Sequence, residues 1–256
     1  MHDRIVAVPT PSGPMESFIT HPEQGGPFPA VVIYMDFWGL REELFDIARR
    51  VGIVGYYCVV PDLYHRQGQV RNEWRNDKNQ MISMHNLDPE RQRIALAPLE
   101  KLSNAMVVED TGALLEFIDR GEPVRAGGIG SIGYCMGGRH VLCAAGAYPE
   151  RFIAGASLHG TALISDRDDS PHLLAQRFRG ELYCGFAEHD PHAPPAMVEA
   201  FGQLMQTCPD VRYRSEMHPG AEHGYALPNR DIHDKRAANR DWELIFAMFR
   251  RQIPFG

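Results

Sequence analysis

Short, unbroken apolar runs separated by stretches of helical periodicity constrain this 256-residue chain more than any other feature. The segment Pro29–Met35, P-A-V-V-I-Y-M, is rich in β-branched residues and has no polar interruption, the pattern of a strand buried on both faces. Arg41 to Val51 then sets Leu44, Ile47, Ala48 and Val51 at helical spacing, Gly52 and Gly55 follow, and a second apolar run occupies Tyr57–Pro61. The alternation returns with a helix over 102–120, a strand over 128–134, a helix over 138–147, and strands at 152–158 and 182–186. It closes with a helix over 197–205, a strand over 211–217 and a helix over 239–252. Strands joined by helices predict an α/β fold with a mostly parallel sheet covered on both faces. Residues 63–100 depart from the pattern. They are polar, scatter Trp74, Met81, Met84 and His85 among charges, and hold no run fit for an internal strand, so a mostly helical excursion over one end of the sheet is expected.

The length suits one large α/β domain over 1–256, with no linker, repeat or low-complexity tract to divide it. No apolar run is long enough to span a bilayer, and residues 1–20 lack the features of a signal peptide, so neither a membrane nor export is expected and a cytoplasmic location is predicted. The net charge of -7, with no basic block, argues against a nucleic-acid partner. The five cysteines (Cys58, Cys135, Cys143, Cys184, Cys208) are odd in number and form no C-x-x-C pair, which predicts reduced thiols rather than a disulfide framework or a zinc ribbon.

One of those thiols stands apart. Gly133-Tyr134-Cys135-Met136-Gly137-Gly138 lies between a buried strand and a helix and has the form of a nucleophile elbow with cysteine in the serine position. Glycines two positions either side of Cys135 leave room for a strained turn, and the helix N-terminus beyond it favours a thiolate and offers a free amide to an oxyanion. In such a fold the acid and the histidine follow in that chain order. Asp190 follows the strand at 182–186, and His223 follows the strand at 211–217. His223 would take the thiol proton and later activate water, while Asp190 would fix the imidazole tautomer.

His189, Asp190, His192, His218 and His223 have no metal-binding spacing, so no metal is expected. Gly128-Ile-Gly130-Ser-Ile-Gly133 matches G-x-G-x-x-G, but its glycines lie inside the strand rather than after it, which argues against a dinucleotide site.

These residues resemble the dienelactone hydrolase (carboxymethylenebutenolidase) family of the α/β-hydrolase superfamily, whose hallmark is the G-x-C-x-G-G elbow seen here at Gly133–Gly138. The likeness extends to Ala30–Gly39, Val60–Tyr64, Asp190–Pro194, and His223 with Tyr225 after it. It implies an α/β-hydrolase fold, a Cys135–Asp190–His223 triad, and an oxyanion hole made by the backbone amides of Met136 and Phe37. It implies that Asp36, in place of the family's glutamate, holds the resting thiol. It also implies arginines for a substrate carboxylate. Arg93 stands in a matching stretch, but Leu227 replaces the second arginine and Ala97 a tyrosine, so an altered carboxylate pocket is expected. Trp38, Tyr225 and Leu227 join Arg93 as candidate substrate-binding residues.

The function expected is hydrolysis of a small ester or lactone through a cysteine thioester acyl-enzyme, with no cofactor. Acyl transfer or broad carboxylesterase activity is an alternative, and so is a non-catalytic ligand-binding protein on the same fold.

Overall fold

A computed structural model describes residues 1–255. The chain opens with β1 (His2–Thr10) and β2 (Gly13–His21), then β3 (Ala30–Tyr34), α1 (Glu42–Gly52) and β4 (Tyr57–Pro61). Two 3₁₀ turns, His65–Gln67 and Met84–Asn86, precede α2 (Pro89–Glu100) and α3 (Asn104–Asp119). The rest comprises β5 (Ile129–Tyr134), α4 (Met136–Ala147), β6 (Phe152–Leu158), α5 (Pro171–Ala175), β7 (Gly180–His189), α6 (Pro195–Gln206), β8 (Val211–Glu222) and α7 (Lys235–Gln252).

The strands form one sheet in the order β1-β2-β4-β3-β5-β6-β7-β8. It is parallel from β4 to β8, while β2 runs antiparallel to both β1 and β4. Every residue of β3, β4 and β5 is buried, Ser131 of β5 included, as expected of strands covered on both faces. Helix α1 buries Leu44, Ile47, Ala48 and Val51, with Glu42 and Glu43 in its first turn and Arg49 and Arg50 in its last, each charge matched to the helix dipole. Strand β3 lies between β4 and β5, so the chain leaves it to one side and later returns on the other. That reversal opens a crevice beyond the carboxyl ends of β3 and β5, where ligands of open α/β sheets bind.

Two features lie outside the sequence expectations. The β1–β2 hairpin extends the sheet at its antiparallel edge, where alternation replaces the continuous apolar run. Strands β7 and β8 run on through residues expected to be loop: Ala187 pairs with His218 and His189 with Glu222. A register shift between those pairs absorbs Pro219 and Gly220, and the Gly220 amide donates to Glu188 Oε2 at 2.7 Å. Asp190 and His223 thus follow directly on paired strand ends.

The excursion is helical at its two 3₁₀ turns and along α2, where Asp88 caps the helix by accepting from the Arg91 amide at 2.9 Å and Pro89 occupies its first position. It is fastened to the loop after β8. The Met81 amide donates to Asn229 O at 2.7 Å, the Asp231 amide to Met81 O at 3.0 Å, and the Ser83 hydroxyl bonds the Asp231 carboxylate.

Candidate active site

Strand β5 ends at Cys135 in a conformation that L-residues rarely adopt, φ 55° and ψ −117°. Such a turn persists only where its surroundings fix it. The Cys135 amide donates to Leu158 O at 3.0 Å, and its carbonyl accepts from the amides of Gly138 at 3.0 Å and Thr161 at 3.2 Å. A Cβ at Gly133 would overlap the Gly137 carbonyl, and one at Gly137 the Tyr34 carbonyl, so strand and helix close on the turn at glycine distance.

The loops after β7 and β8 bring Asp190 and His223 to the same end of the sheet. Asp190 Oδ2 lies 2.7 Å from His223 Nδ1, and Asp190 Oδ1 accepts from the His192 amide at 2.8 Å. Cys135 and His223 line one cavity. Burial opposes the imidazolium, but the Cys135 sulfur as thiolate and the carboxylate of Asp190 outweigh it and push His223 up to about 10. Phe37 and Met136 border the same cavity, and among the described residues neither backbone amide has a hydrogen-bond acceptor.

The cavity has a volume of about 810 Å³ and opens to solvent. Its roof is the excursion, through Ser83, Met84 and His85 and the α2 residues Gln92, Leu96 and Leu99, which recur at one helical face. Arg93 follows Gln92 by one position, a rotation of about 100°. It is exposed and borders a separate groove with Ala97 and Lys101, so the expectation that it binds substrate is corrected.

Other candidates are displaced as well. Asp36, expected beside the resting thiol, binds Arg41 through both oxygens, at 2.5 and 3.0 Å, and Arg41 also bonds Glu43 Oε2 at 2.6 Å. All three residues are buried, so the carboxylate neutralises a guanidinium that has no access to water; among the described residues it makes no hydrogen bond to Cys135. Trp38 is buried beneath the Arg230 guanidinium, 5.1 Å from the ring centroid, and does not line the cavity. Tyr225 is buried and donates to Asp241 Oδ2 at 2.8 Å, within a cluster where Tyr183 donates to Asp241 Oδ1 at 2.6 Å and His218 Nε2 lies 2.7 Å from it. Leu227 is fully buried in the core, drawn there by its apolar side chain.

Two arginines that the sequence reading passed over do line the cavity, Arg139 and Arg230. Arg139 stands four residues after Cys135 and one turn along α4, and that spacing was the signal for it. Nothing local marked Arg230, seven residues after His223 in an irregular loop. Among the described residues neither Nε has a hydrogen-bond partner, and Arg139 has no carboxylate within 4.0 Å; Arg230 has Asp36 Oδ2 at 3.9 Å. Burial lowers the pKa of both guanidinium groups, which remain cations at any working pH. Among the described residues no group of three or more His, Cys, Asp or Glu side chains is arranged to hold a metal ion, and no helix is long and apolar enough to cross a membrane.

Comparison with known proteins places the chain in a family. The model of the dienelactone hydrolase family matches residues 15–253. A protein of Synechocystis sp. named "Putative carboxymethylenebutenolidase" is 23% identical over 252 residues, covering 97% of this chain and 96% of that protein. One of the same name from Saccharolobus solfataricus is 26% identical over 254 residues, covering 93% of this chain and 94% of that one. The structure called "Crystal Structure of Putative Dienelactone Hydrolase" from Klebsiella pneumoniae superposes with a TM-score of 0.82 at 21% identity, over 97% of this chain and 98% of that one, a likeness of fold.

Proposed function

The chain belongs to the dienelactone hydrolase family, and from that premise we propose that it hydrolyses a small carboxylic ester or lactone through a thioester on Cys135. The observation that carries this reading is the 2.7 Å contact of Asp190 with His223 in the cavity onto which the strained Cys135 turn opens. Cys135 Sγ, whose proton already rests on His223, attacks the carbonyl carbon as a thiolate, and the oxyanion takes the free amides of Phe37 and Met136. The tetrahedral adduct collapses, the C–O bond to the leaving group breaks, and His223 returns the proton to that oxygen. A lactone ring would open at this step and stay attached as the thioester. Water, deprotonated by the now neutral His223, then attacks the thioester, and the acid departs as the thiolate leaves and the thiolate–imidazolium pair is restored. Asp190 holds Nδ1 throughout and faces the imidazolium with a negative charge.

The carboxylate side of the pocket is rebuilt in this reading. Arg139 and Arg230 supply the guanidinium groups that Arg93 and Leu227 do not, and a substrate carboxylate beside Cys135 gives them the partner their buried Nε atoms lack. Intact-mass measurement after brief exposure to p-nitrophenyl acetate tests the chemistry. An acetyl adduct on Cys135, with p-nitrophenol release that collapses in Cys135→Ala and His223→Ala, is the expected result. Release that survives in Cys135→Ala would overturn the thioester route.

A further inference from the structure

In the sheet order β5-β6-β7-β8, the nucleophile follows β5 while its acid and base follow β7 and β8. Neighbouring strands lie about 4.8 Å apart, so the end of β6 falls in the gap between Cys135 and His223. The residue there is His159, fully buried, with a positive φ of 39°. The reaction described above gives it no part.

Its contacts face both partners. The Cys135 amide, which donates to Leu158 O at 3.0 Å, is shared with His159 Nδ1 at 3.1 Å; a nitrogen that accepts there carries no proton, so the ring is neutral with its proton on Nε2. The ring plane stands edge-to-face to that of His223, with centroids 5.0 Å apart at 74°, and to Tyr225 at 5.5 Å and 71°. Tyr225 is itself fixed through its hydroxyl to Asp241. On another side of His223 the exposed ring of His192 makes a second edge-to-face contact, 4.9 Å and 71°.

A histidine held only at Nδ1 can pivot about that hydrogen bond. Two rings packed against it remove the pivot. We propose that His159 is a positioning residue of this site, a neutral imidazole that ties the Cys135 turn to the His223 ring and holds that ring in the plane from which it reaches the thiol. Among the described residues Nε2 has no acceptor, an arrangement that costs stability unless the position serves something else. Burial, first, and then the neighbouring His223 and Arg230 keep the proton affinity of His159 well below the ordinary imidazole value, so acid does not dissolve the contact with the amide.

The inference rests on the proposed hydrolysis for its kinetic test and not for its spectroscopic one. Long-range proton–nitrogen spectra of the whole protein should show His159 neutral, protonated on Nε2, from about pH 5 to about pH 9. A His159 that titrates in that range, or carries its proton on Nδ1, would overturn the assignment. His159→Asn keeps an acceptor near the Nδ1 position and removes the ring, whereas His159→Phe keeps a ring and removes the acceptor.

With p-nitrophenyl acetate, His159→Asn should lose roughly 30-fold in kcat with KM changed less than about threefold, and the downfield Nδ1 proton of His223 should broaden. His159→Phe should recover most of kcat and the sharp resonance. Equal losses in both variants that track their melting temperatures, with the His223 resonance unchanged, would mean a structural role only. Wild-type protein that neither acylates nor releases p-nitrophenol would count against the hydrolase reading, while the spectra would still decide the position of His159. If His159→Asn does not fold, His159→Gln is read in the same way.

Discussion

At the scale of single residues, the site is set by which charges are already answered. Asp36 is spoken for by Arg41, whereas Arg139 faces the cavity with no carboxylate within 4.0 Å among the described residues. Arg139→Met keeps the bulk of the side chain and removes the fork. The preference in kcat/KM for a p-nitrophenyl hemiester bearing a free carboxylate over p-nitrophenyl acetate should fall roughly 10- to 100-fold in steady-state assays. The partners of His223 set the sign of a pH dependence. Its proton is held more tightly in the folded protein, up to about 10 against an ordinary 6.5, so its contribution to stability is complete below about pH 6.5 and is lost as pH rises through about 10. Urea denaturation from about pH 6 to about pH 10 should show the gap between wild type and His223→Ala narrowing as pH rises.

At the scale of elements, the β3–α1 connection works through a buried ion cluster. Arg41 joins Asp36 at the end of β3 to Glu43 in the first turn of α1, and Glu43 Oε1 accepts from the Asn229 amide at 2.6 Å. Arg41→Ala strands two buried carboxylates and should cost about 3 to 5 kcal/mol in denaturant-derived stability. The Phe37 amide is carried by the same connection, so the variant that folds should also lose activity. None of this was legible from sequence, because the ion cluster is closed by an asparagine 186 positions away. The Cys135 turn was legible for the opposite reason: strand, glycines, nucleophile and helix are contiguous. Strands β3 and β4 announced themselves by unbroken apolar runs and β5 to β7 by predominantly apolar ones, while β1 sits at an edge with mixed burial and left no such mark. The roles of Arg93 and Arg139 are matters of helix phase. One residue along α2 turns a side chain to another groove, and one full turn along α4 returns it to the cavity.

At the scale of the whole molecule, the sheet reversal at β3 and β5 fixes where a pocket must form, and the excursion over residues 63–100 decides what fits inside it. That excursion is not a free-standing cover. Met81 is paired to Arg230 as a bridge, and Asn229, Asp231 and Ser83 complete the seam. The loop so stitched is the one that carries His223 and Arg230. Reshaping the roof therefore strains the loop that holds His223 in the cavity. A change in either segment is therefore transmitted to the other across that seam.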